Sequence, residues 1–263
     1  MLKLEQVNQR FPNGTKALQD VNLSFDSQAF TVLIGPSGAG KSTLMRVLNG
    51  LIRPTSGKVM VGETDITTAN QQQIRLARRK IGMVFQQFNL VKRLNALENV
   101  LLGRLGYRQA WRSLLHLYTK EEKLRAFEIL ERVGMADYAW QRADTLSGGQ
   151  QQRIGIARAL AQEPQFILAD EPISALDPKS SEQVMELLRD IHHQDGITVI
   201  ANLHYLGTVR EYANRVVALQ QGSVVFDGAV ENLTDDITRQ LYYGDTTPSP
   251  LETPSQNMAL IAA

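Results

Sequence analysis

The chain has no cysteine among its 263 residues, which excludes a disulfide framework, thiolate metal ligation and cysteine catalysis. That absence fits a reducing compartment. Also missing is any apolar run near the roughly 18 residues needed to span a bilayer. The opening Met1-Leu2-Lys3-Leu4-Glu5-Gln6 lacks the basic start and apolar stretch of a secretory signal, and alternates like a strand instead. Neither sign of charge dominates: 28 basic and 27 acidic side chains leave a formal net charge of +1. No global attraction to nucleic acid or to an acidic surface follows. A soluble, cytoplasmic chain is expected, reaching any membrane through a partner.

What is present is an ordinary globular composition. At 43% hydrophobic, the chain is too apolar and too evenly charged for intrinsic disorder, and long enough to bury a substantial core. Leu2, Leu4 and Val7 predict one strand, and Val21, Leu23 and Phe25 another. Phe30 to Ile34 is a compact apolar run that stops at Gly35-Pro36, after which Leu44, Val47, Leu48 and Leu51 recur at helical spacing. Short runs at Ile81–Phe85, Phe166–Ala169 and Ile197–Ala201 read as buried central strands. Val216–Leu219 and Val224–Phe226 flank a Gln-Gly turn. Strands alternating with helical stretches predict an α/β core with a mainly parallel sheet. Between about 88 and 161 the pattern changes. Leu97, Val100, Leu101, Leu124, Phe127, Leu130 and Val133 predict amphipathic helices without strands, an insertion in the α/β domain. Beyond Asp245 come three prolines with Ser and Thr, read as a flexible tail over 246–263.

Three segments carry chemistry. Gly35-Pro36-Ser37-Gly38-Ala39-Gly40-Lys41-Ser42 fits G-x-x-x-x-G-K-[ST], with a strand before and a helix after. Glycines let successive backbone N–H groups turn inward around an anion, and the helix start adds its own free N–H groups. Lys41 reaches the terminal phosphates, and Ser42 places its hydroxyl on Mg²⁺. Gly35, Pro36, Ser37, Gly38, Ala39, Gly40, Lys41, Ser42 and Thr43 are therefore the candidate ATP-binding residues. The second segment is the apolar run that ends in Asp170-Glu171. Beside a phosphate loop, the first acid holds Mg²⁺ and the second polarises the attacking water. Read alone, the pair would be two solvated acids at a strand end. The third segment, Leu146-Ser147-Gly148-Gly149-Gln150, opens a helix that Ser147 can cap. By itself it is an ordinary cap; its paired glycines make it a second phosphate-binding helix start, where one ATP needs only one.

The ordered set Gly35–Ser42, Gln86, Leu146–Gln150, Ile167–Pro172, Ser174–Asp177 and His204 resembles an ABC-transporter ATPase from about residue 1 to 240. The resemblance implies a P-loop NTPase fold of the RecA-like type. Its core would lie at about 1–87 and 162–245, with an N-terminal antiparallel β portion and a helical subdomain at about 88–161. It also implies a head-to-tail homodimer. Ser147, Gly148, Gly149 and Gln150 of one copy would close over the ATP held by the Gly35–Thr43 loop of the other. Gln86 would sense Mg²⁺ and the attacking water, His204 would contact the γ-phosphate and orient Glu171, and Asp177 would bridge the interface. Phe11 stands where an adenine-stacking aromatic is found in similar proteins, and packing is its other reading. Implied partners are two integral membrane permease subunits and, indirectly, a periplasmic or extracellular substrate-binding protein. No nucleic acid is implied, and the location is the cytoplasmic face of the cell membrane.

The segment after Gln86 narrows the resemblance. Phe88-Asn89-Leu90-Val91, Leu97-Glu98-Asn99-Val100-Leu101, Gly103-Arg104-Leu105-Gly106-Tyr107 and Trp111-Arg112-Ser113-Leu114-Leu115 look like the phosphonate-importer subfamily. So does Leu203-His204. Phosphite, a phosphate ester or another small anion are the alternative cargoes. Ala201-Asn202 in place of a usual Val-Thr, and Tyr205 in place of a common Gln or Asp, depart from the family pattern near the histidine. Two rivals carry less of the sequence. A channel-free ABC protein of translation or DNA repair usually has two cassettes or a long coiled coil. A small-molecule P-loop kinase leaves Leu146–Gln150 unexplained.

Overall fold

The computed structural model describes residues 1–25, 29–107 and 118–243. Among the described residues, ten strands form two sheets. The first is antiparallel, in the order β2 (Lys16–Phe25), β1 (Leu2–Arg10), β4 (Ser56–Val61), β5 (Thr64–Asp65). The second runs β10 (Ser223–Ala229), β9 (Arg215–Gln220), β3 (Thr31–Ile34), β8 (Thr198–Asn202), β7 (Phe166–Asp170), β6 (Ile81–Val84). Its pairings are parallel except for the β9–β10 hairpin.

The central strands read as unbroken apolar runs because both of their faces are covered. The period of two then sorts their side chains. Val32, Ile34, Ile167, Ala169, Val199, Ala201, Val216 and Ala218 enter one core, and Leu33, Phe166, Leu168, Ile200, Val217 and Leu219 enter the other. The second core is closed by the antiparallel sheet and by α1 (Lys41–Leu48), through residues such as Leu4, Phe25, Leu44 and Leu48. The first is closed by α3 (Ala96–Leu102), α4 (Lys120–Arg132), α5 (Gly148–Leu160) and α6 (Pro178–Asp195). α2 (Gln71–Arg79), α7 (Leu206–Tyr212) and α8 (Asp235–Tyr243) complete the α-helices among the described residues.

Helix starts follow local chemistry. Asn70, Asn95, Thr119 and Ser147 each accept from the backbone N–H three residues on, and Gln73, Glu98, Glu122 and Gln150 reciprocate. These capping boxes satisfy donors that a helix start leaves unpaired. Between β6 and β7 the described residues hold helices and one isolated bridge, Asn95 to Arg142. Two expected apolar positions differ from the pattern. Leu51 lies past the end of α1 and is exposed, because the helix stops at Leu48 and the chain turns through Gly50 at φ +64°. Leu124 is exposed on α4, since the buried stripe there runs through Ala126 and Leu130. Trp111 to Leu115 and the 246–263 tail lie outside the described residues. No helix among the described residues is long and apolar enough to cross a membrane.

Candidate functional site

The parallel sheet brings the C-terminal ends of β3, β7 and β8 side by side, and Lys41, Asp170, Glu171 and His204 all lie at or soon after those ends. β3 runs into the Gly35–Gly40 loop, and α1 begins at Lys41. Gly40 has φ +107°, and a Cβ there would sit 2.4 Å from the Ala17 carbonyl oxygen. Gly35, at φ +140°, is pressed against the Leu219 carbonyl in the same way. Only glycine fits either position, so the loop's curvature is fixed from behind by β2 and β9. Ser37 and Gly38 are exposed at the loop's crest, while Ala39 is buried beneath it. Phe11 is half-buried just past β1, in a turn closed by Phe11 N–H to Thr15 O at 2.9 Å.

Lys41 is buried and curls back on its own loop, donating from Nζ to Gly35 O at 2.6 Å and Pro36 O at 3.1 Å. Burial pushes its ammonium below the ordinary lysine range, with Glu171 and Asp170 pulling the other way. Ser42 Oγ donates to Asp170 Oδ1 at 3.0 Å. The same oxygen accepts from Asn202 Nδ2 at 2.9 Å. Glu171 stands one residue past β7 in the left-handed region, at φ +52°. A non-glycine residue held there is backbone strain of the kind that accumulates at functional sites. Its Oε1 lies 2.9 Å from Nε2 of His204, and both side chains are partly exposed.

Gln86 is exposed two residues beyond β6. Val84 pairs with Ala169, so extending that register brings Gln86 level with Glu171. The loop it starts is pinned from two sides. Arg158 of α5 donates to Asn89 O at 2.6 Å and Phe88 O at 3.0 Å, and both of those residues have positive φ. Asn99 of α3, fully buried, accepts from Val91 N–H at 2.8 Å and donates back to Asn95 O at 3.0 Å. Neither residue was singled out from the sequence. Asn99 carried a signal, an amide inside an otherwise apolar helix, whereas Arg158 looked like any charged residue on a helix face.

Ser147, Gly148, Gly149 and Gln150 form the start of α5. Among the described residues no hydrogen bond joins them to the Gly35–Thr43 loop. The two glycines lie instead against the segment that leads into α6 and the first turn of that helix: a Cβ on Gly148 would meet Leu176, and one on Gly149 would meet Ser180. Asp177 caps α6 by accepting from Ser180 N–H at 3.0 Å, and Ser180 holds its carboxyl below the usual range. The structure thus groups Lys41, Ser42, Asp170, Glu171 and His204 in one place, and Ser147–Gln150 with Asp177 in another. Tyr205 is exposed beside His204, and Ala201 faces the helical core.

The donor set suits a hard divalent cation. Ser42 and Asp170 offer one hydroxyl and one carboxylate, and among the described residues no group of three or more His, Asp or Glu side chains is arranged to hold a metal ion by itself. So few protein oxygens fit Mg²⁺ shared with phosphates and water, and do not fit a cage made of protein alone.

A family model described as ABC transporter matches residues 18–174. The phosphonates import ATP-binding protein of Thiobacillus denitrificans is 50% identical over 241 residues, covering 92% of each chain. One from Ruegeria sp. is 48% identical over 244 residues, covering 93% of this chain and 95% of its own. Among solved structures, a dimeric post-hydrolysis ATP-binding cassette bound to ADP and Pi superposes with a TM-score of 0.78 at 38% identity. That match covers 88% of this chain and 99% of the other. With these matches over the fold and the phosphate loop just described, the chain belongs to the ABC transporter family, in the branch of its phosphonate-import ATP-binding proteins.

Proposed function

We propose that the chain binds and hydrolyses ATP to drive uptake of phosphonates, working as a homodimer on the cytoplasmic face of a membrane beneath two permease subunits. A substrate-binding protein outside the membrane delivers the cargo. The observation that carries the reading is the Glu171–His204 contact at 2.9 Å, one residue past the Asp170 that holds Ser42 of the phosphate loop. A base, its orienting partner and a phosphate-gripping lysine thereby share one end of one sheet. The cargo assignment is supported by near-full-length relatives at 46–50% identity that carry the phosphonate-import name.

In this reading the Gly35–Thr43 backbone and Lys41 hold the triphosphate, with Phe11 against the adenine. Glu171 takes or directs the proton of the attacking water, and His204 keeps that carboxylate aimed. Lys41 meets charge that develops on the γ-phosphate as the bond to the leaving oxygen breaks. Ser42, Asp170 and Gln86 would hold Mg²⁺, which when bound would supply further charge neutralisation to the phosphates. Ser147, Gly148, Gly149 and Gln150 of the second copy close the site, and Asp177 bridges the two copies. That placement is supported by the separation, within one chain, of the α5 start from the phosphate loop. ATP drives closure to the extent that the closed dimer binds it better than the open one. Gln86, at the head of the loop pinned by Arg158 and Asn99, links the nucleotide to the face where a permease helix docks.

The cargo test uses a strain lacking the gene, grown on a phosphonate as sole phosphorus source in a background without another uptake system. Growth is expected to fail and to return with the wild-type gene but not with Glu171→Gln. Normal growth of the deletion strain overturns the cargo assignment.

A further inference from the structure

Asn202 ends β8 directly opposite Asp170 at the end of β7, the two residues being register partners. Its side chain is fully buried, between the apolar neighbours Ala201 and Leu203. Nδ2 donates to Asp170 Oδ1 at 2.9 Å, and Ser42 Oγ donates to that same oxygen at 3.0 Å. An ionised carboxylate only accepts hydrogen bonds, so the amide must present its nitrogen, and its orientation is thereby fixed. The amide oxygen is left buried with no partner among the described residues. Such an orphan is a cost that an apolar side chain of similar shape avoids, so packing does not account for an amide here. What the amide supplies is one donor, aimed at one oxygen of Asp170.

With both donors on Oδ1, the carboxylate is held in a single orientation, and Oδ2 accepts no hydrogen bond among the described residues. Mg²⁺ demands near-ideal octahedral geometry and keeps several waters, so a carboxylate that engages it through water acts well only if held still. We infer that Asn202 is a positioning residue for the metal carboxylate, locking Asp170 in the orientation that presents Oδ2 to the hydrated ion. The inference rests on the reading of Asp170 as the Mg²⁺ residue. Asn202 touches neither nucleotide nor metal in this scheme and acts only through Asp170.

The experiment measures metal binding rather than turnover. Mn²⁺ serves as the probe, and its affinity for the protein–ADP complex is read from loss of the free-ion paramagnetic resonance signal. Asn202→Leu keeps the side chain's approximate size and removes the donor. It is expected to weaken Mn²⁺ binding roughly 10- to 100-fold, the usual effect of removing an outer-shell partner. ADP affinity in the presence of a chelator is expected to match wild type. Asn202→Ala removes the donor without added bulk and is expected to behave alike. Wild-type Mn²⁺ affinity in either variant overturns the inference. So does a parallel loss of chelator-insensitive ADP binding, which would mean damage to the phosphate loop. Asp170→Asn separates the two levels of the argument. If it also leaves Mn²⁺ binding unchanged, the metal assignment itself falls, whereas its loss beside an unaffected Asn202→Leu removes Asn202 alone.

Discussion

His204 and Glu171 are joined across two strand ends by a hydrogen bond of 2.9 Å, from the Nε2 proton to carboxylate Oε1. An ionised carboxylate has no proton to give, so the imidazole carries it on Nε2. The bond ties His204, in the turn between β8 and α7, to a glutamate whose backbone is itself strained at φ +52°. Replacing the base while keeping its shape tests the assignment. Glu171→Gln is expected to bind ATP, to accumulate as a dimer on size exclusion with ATP, and to lose roughly 10²- to 10⁴-fold in steady-state turnover. Wild-type turnover would remove Glu171 as the base.

Removing the orienting partner has a different signature. His204→Ala leaves the glutamate in place but frees its carboxylate, and a misplacement near 1 Å can cost about 10²-fold in rate. ATPase activity is expected to fall on that scale with little change in ATP affinity by calorimetry. A variant that instead loses nucleotide binding would make His204 a structural residue.

Lys41 carries a pH prediction whose sign follows from its burial. Its ammonium is depressed by burial, and the negative charge of a triphosphate raises it again. Between those two values the complex holds one more proton than the free protein, so binding takes up a proton and affinity falls as pH rises through the depressed value. Lys41→Ala is expected to lose ATP affinity by roughly 10- to 150-fold, as for a charge-assisted bond of about 1.5–3 kcal/mol, and to lose this alkaline dependence as well. Calorimetry in buffers of differing ionisation heat reads both. An unchanged affinity contradicts the cradle.

The Lys41, Asp170 and Glu171 placements were legible because each follows an apolar run or a glycine pattern that declares its strand or loop. The central strands were legible for the same reason: Val32–Ile34 of β3, Phe166–Ala169 of β7 and Val199–Ala201 of β8 are apolar runs because both faces are covered. What the sequence does not carry is pairing between distant segments. Asp170 meets Asn202 only because β7 and β8 are neighbours in register, across 32 positions of chain. Leu124 looked like a core residue because spacing alone cannot say which side of α4 faces inward; Ala126 and Leu130 settle it by being buried. Arg158 was invisible because its partners are carbonyls exposed by two positive-φ residues, Phe88 and Asn89.

Arg158 therefore supports a test of its own. Its guanidinium holds the loop that starts at Gln86; burial works against its charge and lowers its pKa, and its two hydrogen bonds to carbonyls offset that cost. Arg158→Met keeps the stem and removes both donors. Amide exchange at residues 86–91 is expected to speed up relative to wild type, reflecting bonds to a charged group worth about 1.5–3 kcal/mol. Unchanged exchange in that loop would show that Asn99 alone suffices to hold it.

Gly149 sits where the start of α5 touches the start of α6. A Cβ added there would lie 2.6 Å from Ser180 Oγ and 2.8 Å from Ser180 Cβ, so Ser180 must move. Ser180 also donates the backbone hydrogen bond that Asp177 accepts as the cap of α6. Gly149→Ala is thus expected to cost about 1–3 kcal/mol of stability, the usual penalty for forcing extra volume into a packed contact. Denaturant unfolding measures it. Gly149 and, through Ser180, Asp177 both stand at the proposed dimer interface, so ATP-dependent dimer formation by the Glu171→Gln protein is expected to weaken when Gly149→Ala is added, even where the monomer remains folded. A double variant that is destabilised yet dimerises as before would separate the two effects, and would count against the proposed part of Gly149, and of Asp177 beside it, in the interface.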